Sequence, residues 1–324
     1  MFIKIIRYSG LVLLGLILIF LLIINITPVP VSLFVREDFS KQTRTKPDNY
    51  DEYFEKVKVI KDLEYPSKYN DNYLDIYLPK TNEKIPVIIW IHGGAFVGGD
   101  KEDGTEFVTM LSASGYAVIT ANYERAPELK YPNQLHQVEE IYSFALDVAE
   151  AYNLDIDNIF LAGTSAGAHI ISQFTLIQTT PTYASEMGFE KVIPNIKGLL
   201  LYSGPFNVEK INNVKNKMAA FLFSQTSWAY FGKRNWEELY GSVATIKNHI
   251  TENFPPSFIT DGNSRSFEEH AKELVSELEK NNVKVSSYFI PKDVTAGHEY
   301  QFKLDTYEGL NSLKETSKFL ESIK

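Results

Sequence analysis

A short apolar run, Ile159-Phe160-Leu161-Ala162, passes directly into Gly163-Thr164-Ser165-Ala166-Gly167, and an apolar helical pattern continues to Ile177. Few patterns restrict a chain more. A strand has to enter a turn so tight that the residues flanking the serine are nearly bare, and a helix has to leave it. Such a turn lifts the serine hydroxyl over the end of a sheet. There the neighbouring N–H groups and the helix N-terminus favour negative charge. The pattern predicts a strand–turn–helix unit that presents Ser165 as a nucleophile.

A second glycine-rich stretch, His92-Gly93-Gly94-Ala95-Phe96-Val97-Gly98-Gly99, follows the strand-like run at 86–91. Acyl transfer turns a carbonyl oxygen into an oxyanion, and backbone N–H groups already aimed at it supply the stabilisation. Taken alone, the stretch reads equally well as a turn between two elements. Paired with the Ser165 turn, it predicts an oxyanion hole made by the N–H groups of Gly93, Gly94 and Ala166, with Ala95 as a substitute donor.

The rest of the chain alternates. Strands are expected at 57–64, 73–78, 86–91, 116–120, 159–162, 197–202, 257–260 and 284–290. Helical patterns fall at 106–113, 134–152, 166–177, 267–280 and 304–323. Alternation of this kind predicts an α/β fold with a mostly parallel sheet covered by helices on both faces. Catalytic groups then belong on loops at the strand C-terminal ends. One segment, about 206–254, lacks a strand pattern and is rich in aromatics, among them Phe221, Phe223, Trp228, Tyr230, Phe231, Trp236 and Tyr240. It reads either as a helical excursion packed on the domain or as a small helical cap over a pocket, and the cap is the expectation taken.

A nucleophilic serine needs a base, and the base needs a carboxylate to orient it. Of the six histidines, only His298 lies in a loop between the last strand and the last helix. His136, His169 and His270 sit in helical patterns, His249 in the cap and His92 in the glycine-rich loop. The order serine, acid, histidine selects His298. Between Ser165 and His298 the aspartates are Asp261 and Asp293. Asp293 shares the histidine loop, whereas Asp261 follows the strand at 257–260, so Asp261 is the expected acid. Glu268 and Glu269, on the next helix, are the fallbacks.

The N-terminus is of another kind. From Tyr8 to Val35 no side chain is charged, and Leu11 to Ile24 is apolar apart from Gly15. The run is long enough to cross most of a bilayer core. Lys4 and Arg7 precede it, which predicts a cytoplasmic N-terminus and a catalytic domain on the extracytoplasmic side of the cell membrane. The rival is a cleaved signal peptide, but the apolar run is long for one and no A-x-A site follows it. The expected organisation is a single-pass transmembrane signal anchor at 1–27, a stalk at 28–52 and a catalytic domain at 53–324. The chain has no cysteine, and its formal charge of −9 argues against nucleic acid as a partner. No metal or organic cofactor is implied by any motif.

These residues together resemble the α/β-hydrolase superfamily, and within it the hormone-sensitive-lipase-like carboxylesterases. The resemblance covers roughly 72–301. It rests on Ile91-His92-Gly93-Gly94-Ala95-Phe96, on Asn122-Tyr123-Glu124-Arg125-Ala126-Pro127-Glu128, on the Gly163–Gly167 turn and on Gly297-His298-Glu299-Tyr300-Gln301. It implies the α/β-hydrolase fold and an esterase or lipase-type hydrolase, without naming a substrate. The expected activity is hydrolysis of small-molecule carboxylic esters through an acyl-enzyme on Ser165 with His298 as general base. A surface-anchored enzyme is expected to meet esters of short acyl groups. The chain departs from the family at the acid. Where relatives carry an aspartate three residues after the glycine, Gly262-Asn263-Ser264-Arg265 places Arg265. Either Asp261 takes over from four residues upstream, or the triad is reduced to a dyad. Two other functions fit a chain of this kind: a serine peptidase of the same fold, or a binding protein that has kept the fold without a triad acid.

Overall fold

A computed structural model describes residues 2–39, 44–189, 196–214 and 216–323, with the side chains of 2–7 and 39 left out. Eight strands form one sheet in the order β1-β2-β4-β3-β5-β6-β7-β8. They are β1 (Val57–Glu64), β2 (Tyr73–Pro79), β3 (Ile85–Ile91), β4 (Ala117–Ala121), β5 (Leu154–Thr164), β6 (Gly198–Tyr202), β7 (Ser257–Asp261) and β8 (Val285–Phe289). β2 runs antiparallel to β1 and to β4, and every other pairing is parallel. This is the α/β-hydrolase fold expected of the sequence.

The strand sequences explain why the sheet is covered on both faces. Along β3, Val87, Ile89 and Ile91 join one core and Ile88 and Trp90 the other. Leu161 and Phe160 of β5 divide in the same way, as do Leu199 and Leu200 of β6. Side chains alternate across a strand, so an unbroken apolar run demands apolar partners above and below. Each fully buried Ile or Leu contributes about 1.5–3 kcal/mol relative to exposure. A polar substitution at Ile88 or Ile89, both fully buried, would break the sheet where β3 lies between β4 and β5.

The segment at 206–254 holds the helices Lys217–Phe231 and Trp236–Ala244. Its aromatics Tyr230, Phe231, Trp236 and Tyr240 cluster with Tyr131, outside the segment, through edge and stacked contacts with ring centroids 5.0–5.5 Å apart. Tyr230 also stacks on Phe96 at 4.0 Å, tying the segment to the glycine-rich loop.

The N-terminal part departs from the expected stalk. A helix at Phe2–Ile26 is followed by a second at Val29–Phe39. Val31 and Val35 of the second are buried in the same core as Tyr230. Arg36 donates from Nε to the Val97 carbonyl at 2.5 Å and from Nη2 to the Ala126 carbonyl at 2.8 Å, and it pairs with Glu128 at 2.6 Å. The apolar positions 31 and 35 are one helical turn apart and share a face. That face gives the second helix a reason to dock, which the charged residues after it concealed. Tyr8–Ile26 is a 19-residue stretch of mean hydropathy 2.8 and is almost wholly exposed. Lys4 and Arg7 fall outside the described side chains.

Candidate active site

β5 ends at Thr164, and the helix Ala166–Thr179 starts two residues later. Ser165, between them, is held at φ +47°, a conformation that costs a side-chain-bearing residue of order 1–3 kcal/mol. The close approach of elbow and neighbouring strand dictates the glycine that follows: a Cβ on Gly167 would lie 2.1 Å from the Ile91 carbonyl oxygen. The β3 end and the elbow are thus locked against each other.

The glycine-rich loop leaves β3 in the same place. Gly94 takes φ +107°, and a Cβ there would meet the Gly98 carbonyl oxygen at 2.2 Å. The Gly94 carbonyl accepts from the N–H groups of Val97 and Gly98, at 3.0 and 2.8 Å. Among the described residues, the N–H groups of Gly93, Gly94 and Ala166 donate to no backbone carbonyl in the loops and turns. The Cβ position of Gly93 lies 3.0 Å from Ser165 Cβ, so the loop and Ser165 share one space.

The histidine and acid loops complete the cluster. His298 Nε2 lies 2.9 Å from Ser165 Oγ. Its Nδ1 lies 2.7 Å from Ser266 Oγ, and Ser266 Oγ in turn hydrogen-bonds Asp261 Oδ1. Asp261 Oδ1 also accepts the N–H of Gly262 at 2.7 Å. Here the structure differs from the expected geometry. Asp261 makes no direct hydrogen bond to His298 among the described residues; the hydroxyl of Ser266 stands between them. The reason is local. Asp261 is the last residue of β7 and fully buried, so its short side chain is held by the strand, and the bend after it brings residue 266 to the imidazole.

The donor bookkeeping has one consistent direction. An ionised carboxylate only accepts, so the Ser266 hydroxyl donates to Asp261 and accepts the Nδ1–H of His298. That leaves the Nε2 lone pair facing the Ser165 hydroxyl, the tautomer a general base requires. Burial lowers the basicity of His298, and the nearby Asp261 charge opposes that effect. Burial raises the Asp261 carboxyl above its ordinary value, against the pull of His298, the hydrogen bonds from serine hydroxyls and the Gly262 N–H.

The other candidates lie elsewhere. Glu268 and Glu269 pair with Lys272, at 2.9 and 3.5 Å. His169 Nε2 meets the Ala244 carbonyl at 2.8 Å, His92 Nδ1 the Gly93 carbonyl at 2.7 Å, and His270 Nδ1 accepts from the Asn207 N–H at 3.3 Å. The imidazole nitrogens of His298 are taken by Ser165 and Ser266, not by Asp293. Ser266 is the site residue that sequence reasoning missed. Its only signal is a hydroxyl placed next to the arginine that fills the expected acid position.

Beside Ser165 and His298 lies a cavity of about 140 Å³. Phe96 and Ala95 of the glycine-rich loop, Phe223 and Thr226 of the helix Lys217–Phe231, and Phe267 and Arg265 of the acid loop wall it. Phe223 and Thr226 belong to the segment read as a cap. Among the described residues no group of acidic or histidine side chains is arranged to hold a metal ion.

A family model described as BD-FAE matches residues 74–278, well over half of the chain. The isoprenylcysteine α-carbonyl methylesterase of Arabidopsis thaliana is 29% identical over 160 residues, 49% of this chain and 37% of that protein. An acetyl esterase of Salmonella schwarzengrund is 28% identical over 104 residues, 32% of either chain. The chain spans less than half the length of these curated relatives. Esterase B of Lactobacillus rhamnosus superposes with a TM-score of 0.77 at 17% identity, covering 91% of this chain and 96% of that one; at that identity the likeness is one of fold.

Proposed function

The chain belongs to the BD-FAE family, and from that membership together with the site geometry we propose that it is a serine carboxylic-ester hydrolase. The observation that carries the reading is Ser165 Oγ at 2.9 Å from His298 Nε2, beside backbone N–H groups that no backbone carbonyl accepts. In the proposed reaction Ser165 Oγ attacks the ester carbonyl carbon while its proton passes to Nε2. The carbonyl π pair moves onto oxygen, which the N–H groups of Gly93, Gly94 and Ala166 hold. Collapse of this intermediate breaks the bond to the alcohol oxygen, which takes the proton from Nε2. Water then repeats the sequence on the acyl-enzyme and releases the acid. Throughout, Ser266 accepts Nδ1–H, and Asp261 polarises Ser266 and offsets the imidazolium charge. Asp261 thus acts through Ser266.

The size of the cavity favours short acyl groups. At about 140 Å³ it resembles in scale a cavity of ~150 Å³ that accepts one benzene ring. The acetyl esterase relative points the same way. A series of p-nitrophenyl esters from acetate to palmitate should give kcat/KM highest at four carbons or fewer. Ser165→Ala should lower turnover by roughly 10⁴–10⁶-fold and abolish fluorophosphonate labelling. Near-wild-type turnover by that variant would sink the reading.

The organisation proposed for the chain is an anchor at 1–27, a connecting segment at 28–52 and a hydrolase domain at 53–324, with the cap insertion at about 206–254. The apolar stretch Tyr8–Ile26 supports a single pass, and Lys4 and Arg7 support an extracytoplasmic domain. Protease added to intact cells should then cut beyond residue 30 while the N-terminal peptide stays with the membrane. A mature protein beginning near Pro30 in the medium would mean cleavage instead.

A further inference from the structure

Arg265, an exposed residue, places a charge at the edge of a cavity whose other described wall residues are apolar or neutral. The other wall residues include Ala95, Phe96, Ile211, Phe223 and Phe267, and burial favours the neutral form of His298. Among the described wall residues, Arg265 alone carries a fixed charge.

Its surroundings distinguish it from the other arginines. Arg36, Arg44, Arg125 and Arg234 each donate to oxygens or pair with a carboxylate. Arg265 does neither among the described residues. Its backbone is nevertheless held in the left-handed region, at φ +52°, where a long side chain is costly and glycine is not. The loop that holds it is pinned on both sides. Asn263 donates to the Val294 carbonyl at 2.7 Å and accepts the Ala296 N–H at 3.1 Å, and the Ser264 N–H donates to the Ala296 carbonyl at 3.0 Å. On the other side, Ser266 is bonded to His298 and Asp261. A cation without an internal partner therefore stands on a fixed loop, one residue from the group that orients the catalytic base.

We propose that Arg265 is an anion subsite of this pocket, and that the preferred substrates are esters carrying a carboxylate a few bonds from the scissile carbonyl. The proposal rests on the ester-hydrolase reading and narrows it. A guanidinium presents planar, paired donors that match a carboxylate; Arg265 is exposed, so water screens the pairing and keeps it modest. The chain as a whole carries a formal charge of −9 and its long-range field disfavours anions. That field is screened beyond a Debye length of about 8 Å at physiological salt, so selection falls to the local cation. The carboxylate has two possible sources. It belongs to the acyl half in a half-ester of a dicarboxylic acid, and to the alcohol half in an acylated hydroxy acid.

Two matched pairs separate the sources. On the acyl side, p-nitrophenyl hydrogen succinate is compared with p-nitrophenyl methyl succinate; on the alcohol side, 4-(butyryloxy)benzoate with its methyl ester. In each pair only the charge and one methyl group change. The wild-type protein should prefer the carboxylate member of one pair by about twofold to fivefold in kcat/KM, the range of an exposed ion pair. Arg265→Gln should collapse that ratio to near one, Arg265→Glu should invert it, and added salt should weaken it in the wild type. Arg265→Lys should retain part of it, since the charge stays and the fork is lost. No preference in either pair, or a preference that Arg265→Gln leaves intact, would overturn the subsite. If the wild-type protein hydrolysed none of the four esters and p-nitrophenyl butyrate besides, the ester-hydrolase reading would fall and the subsite with it.

Discussion

The two halves of the site are built by different means. Around the nucleophile, backbone does the positioning: Ser165 at φ +47°, Gly94 at φ +107° and Gly167 against the Ile91 carbonyl. Around the base, side chains do it: His298 to Ser266 to Asp261. Backbone construction tolerates little substitution, because an added Cβ meets atoms that have nowhere to go. Side-chain construction can move the acid by several residues, provided that some polar group still accepts the imidazole N–H.

That contrast predicts different failures. The largest effect should come from the backbone half. Gly167→Ala puts a Cβ 2.1 Å from the Ile91 oxygen, so elbow and β3 end cannot keep their separation. Loss of stability should accompany loss of activity, with a fall in Tm of several degrees or more, since each kcal/mol shifts Tm by about 2–4 °C in a domain of this size. A Gly167→Ala protein with wild-type Tm and turnover would mean that the elbow has room for a methyl group and is not locked to β3.

A smaller effect concerns pH. A general base acts only when unprotonated. Burial lowers the His298 pKa, so the acid limb of kcat/KM should have its midpoint below the ordinary imidazole value of about 6.5. The Asp261 charge works in the opposite direction. Asp261→Asn should therefore move the limb to still lower pH while it reduces the rate. A limb above the ordinary value would mean that burial does not dominate at His298, and one that Asp261→Asn shifts upward would mean that the carboxylate does not stabilise the imidazolium.

The same contrast explains what could be read from the sequence. The Ser165 turn, the glycine-rich loop and the succession of strands along the chain were legible because tight turns and buried parallel strands each demand a narrow set of residues. His298 was legible from its loop between the last strand and the last helix. The acid arrangement was not. Asp261 stands at the end of β7 as expected, but whether its carboxylate touches the imidazole depends on the bend from Gly262 to Phe267, and that bend carries no periodicity. Ser266 was hidden because a serine in a loop has many uses, and the more conspicuous departure, Arg265, lies one residue before it. The docked helix Val29–Phe39 was obscured for a similar reason: its charged C-terminal end, including Arg36, read as a solvated stalk, yet Arg36 reaches the Val97 and Ala126 carbonyls.

The claim that Asp261 acts through Ser266 is tested most directly by a double-mutant cycle on kcat/KM with Ser266→Ala, Asp261→Asn and both together. Disrupting the acid of a serine triad costs about 10⁴-fold in a direct arrangement. With a hydroxyl between, the loss in Asp261→Asn should be smaller, on the order of 10²–10³-fold. If the two residues form one relay, the double variant should lose little more than the worse single variant, because breaking either link disconnects the carboxylate. Losses that multiply, or an Asp261→Asn protein as active as the wild type, would contradict the relay.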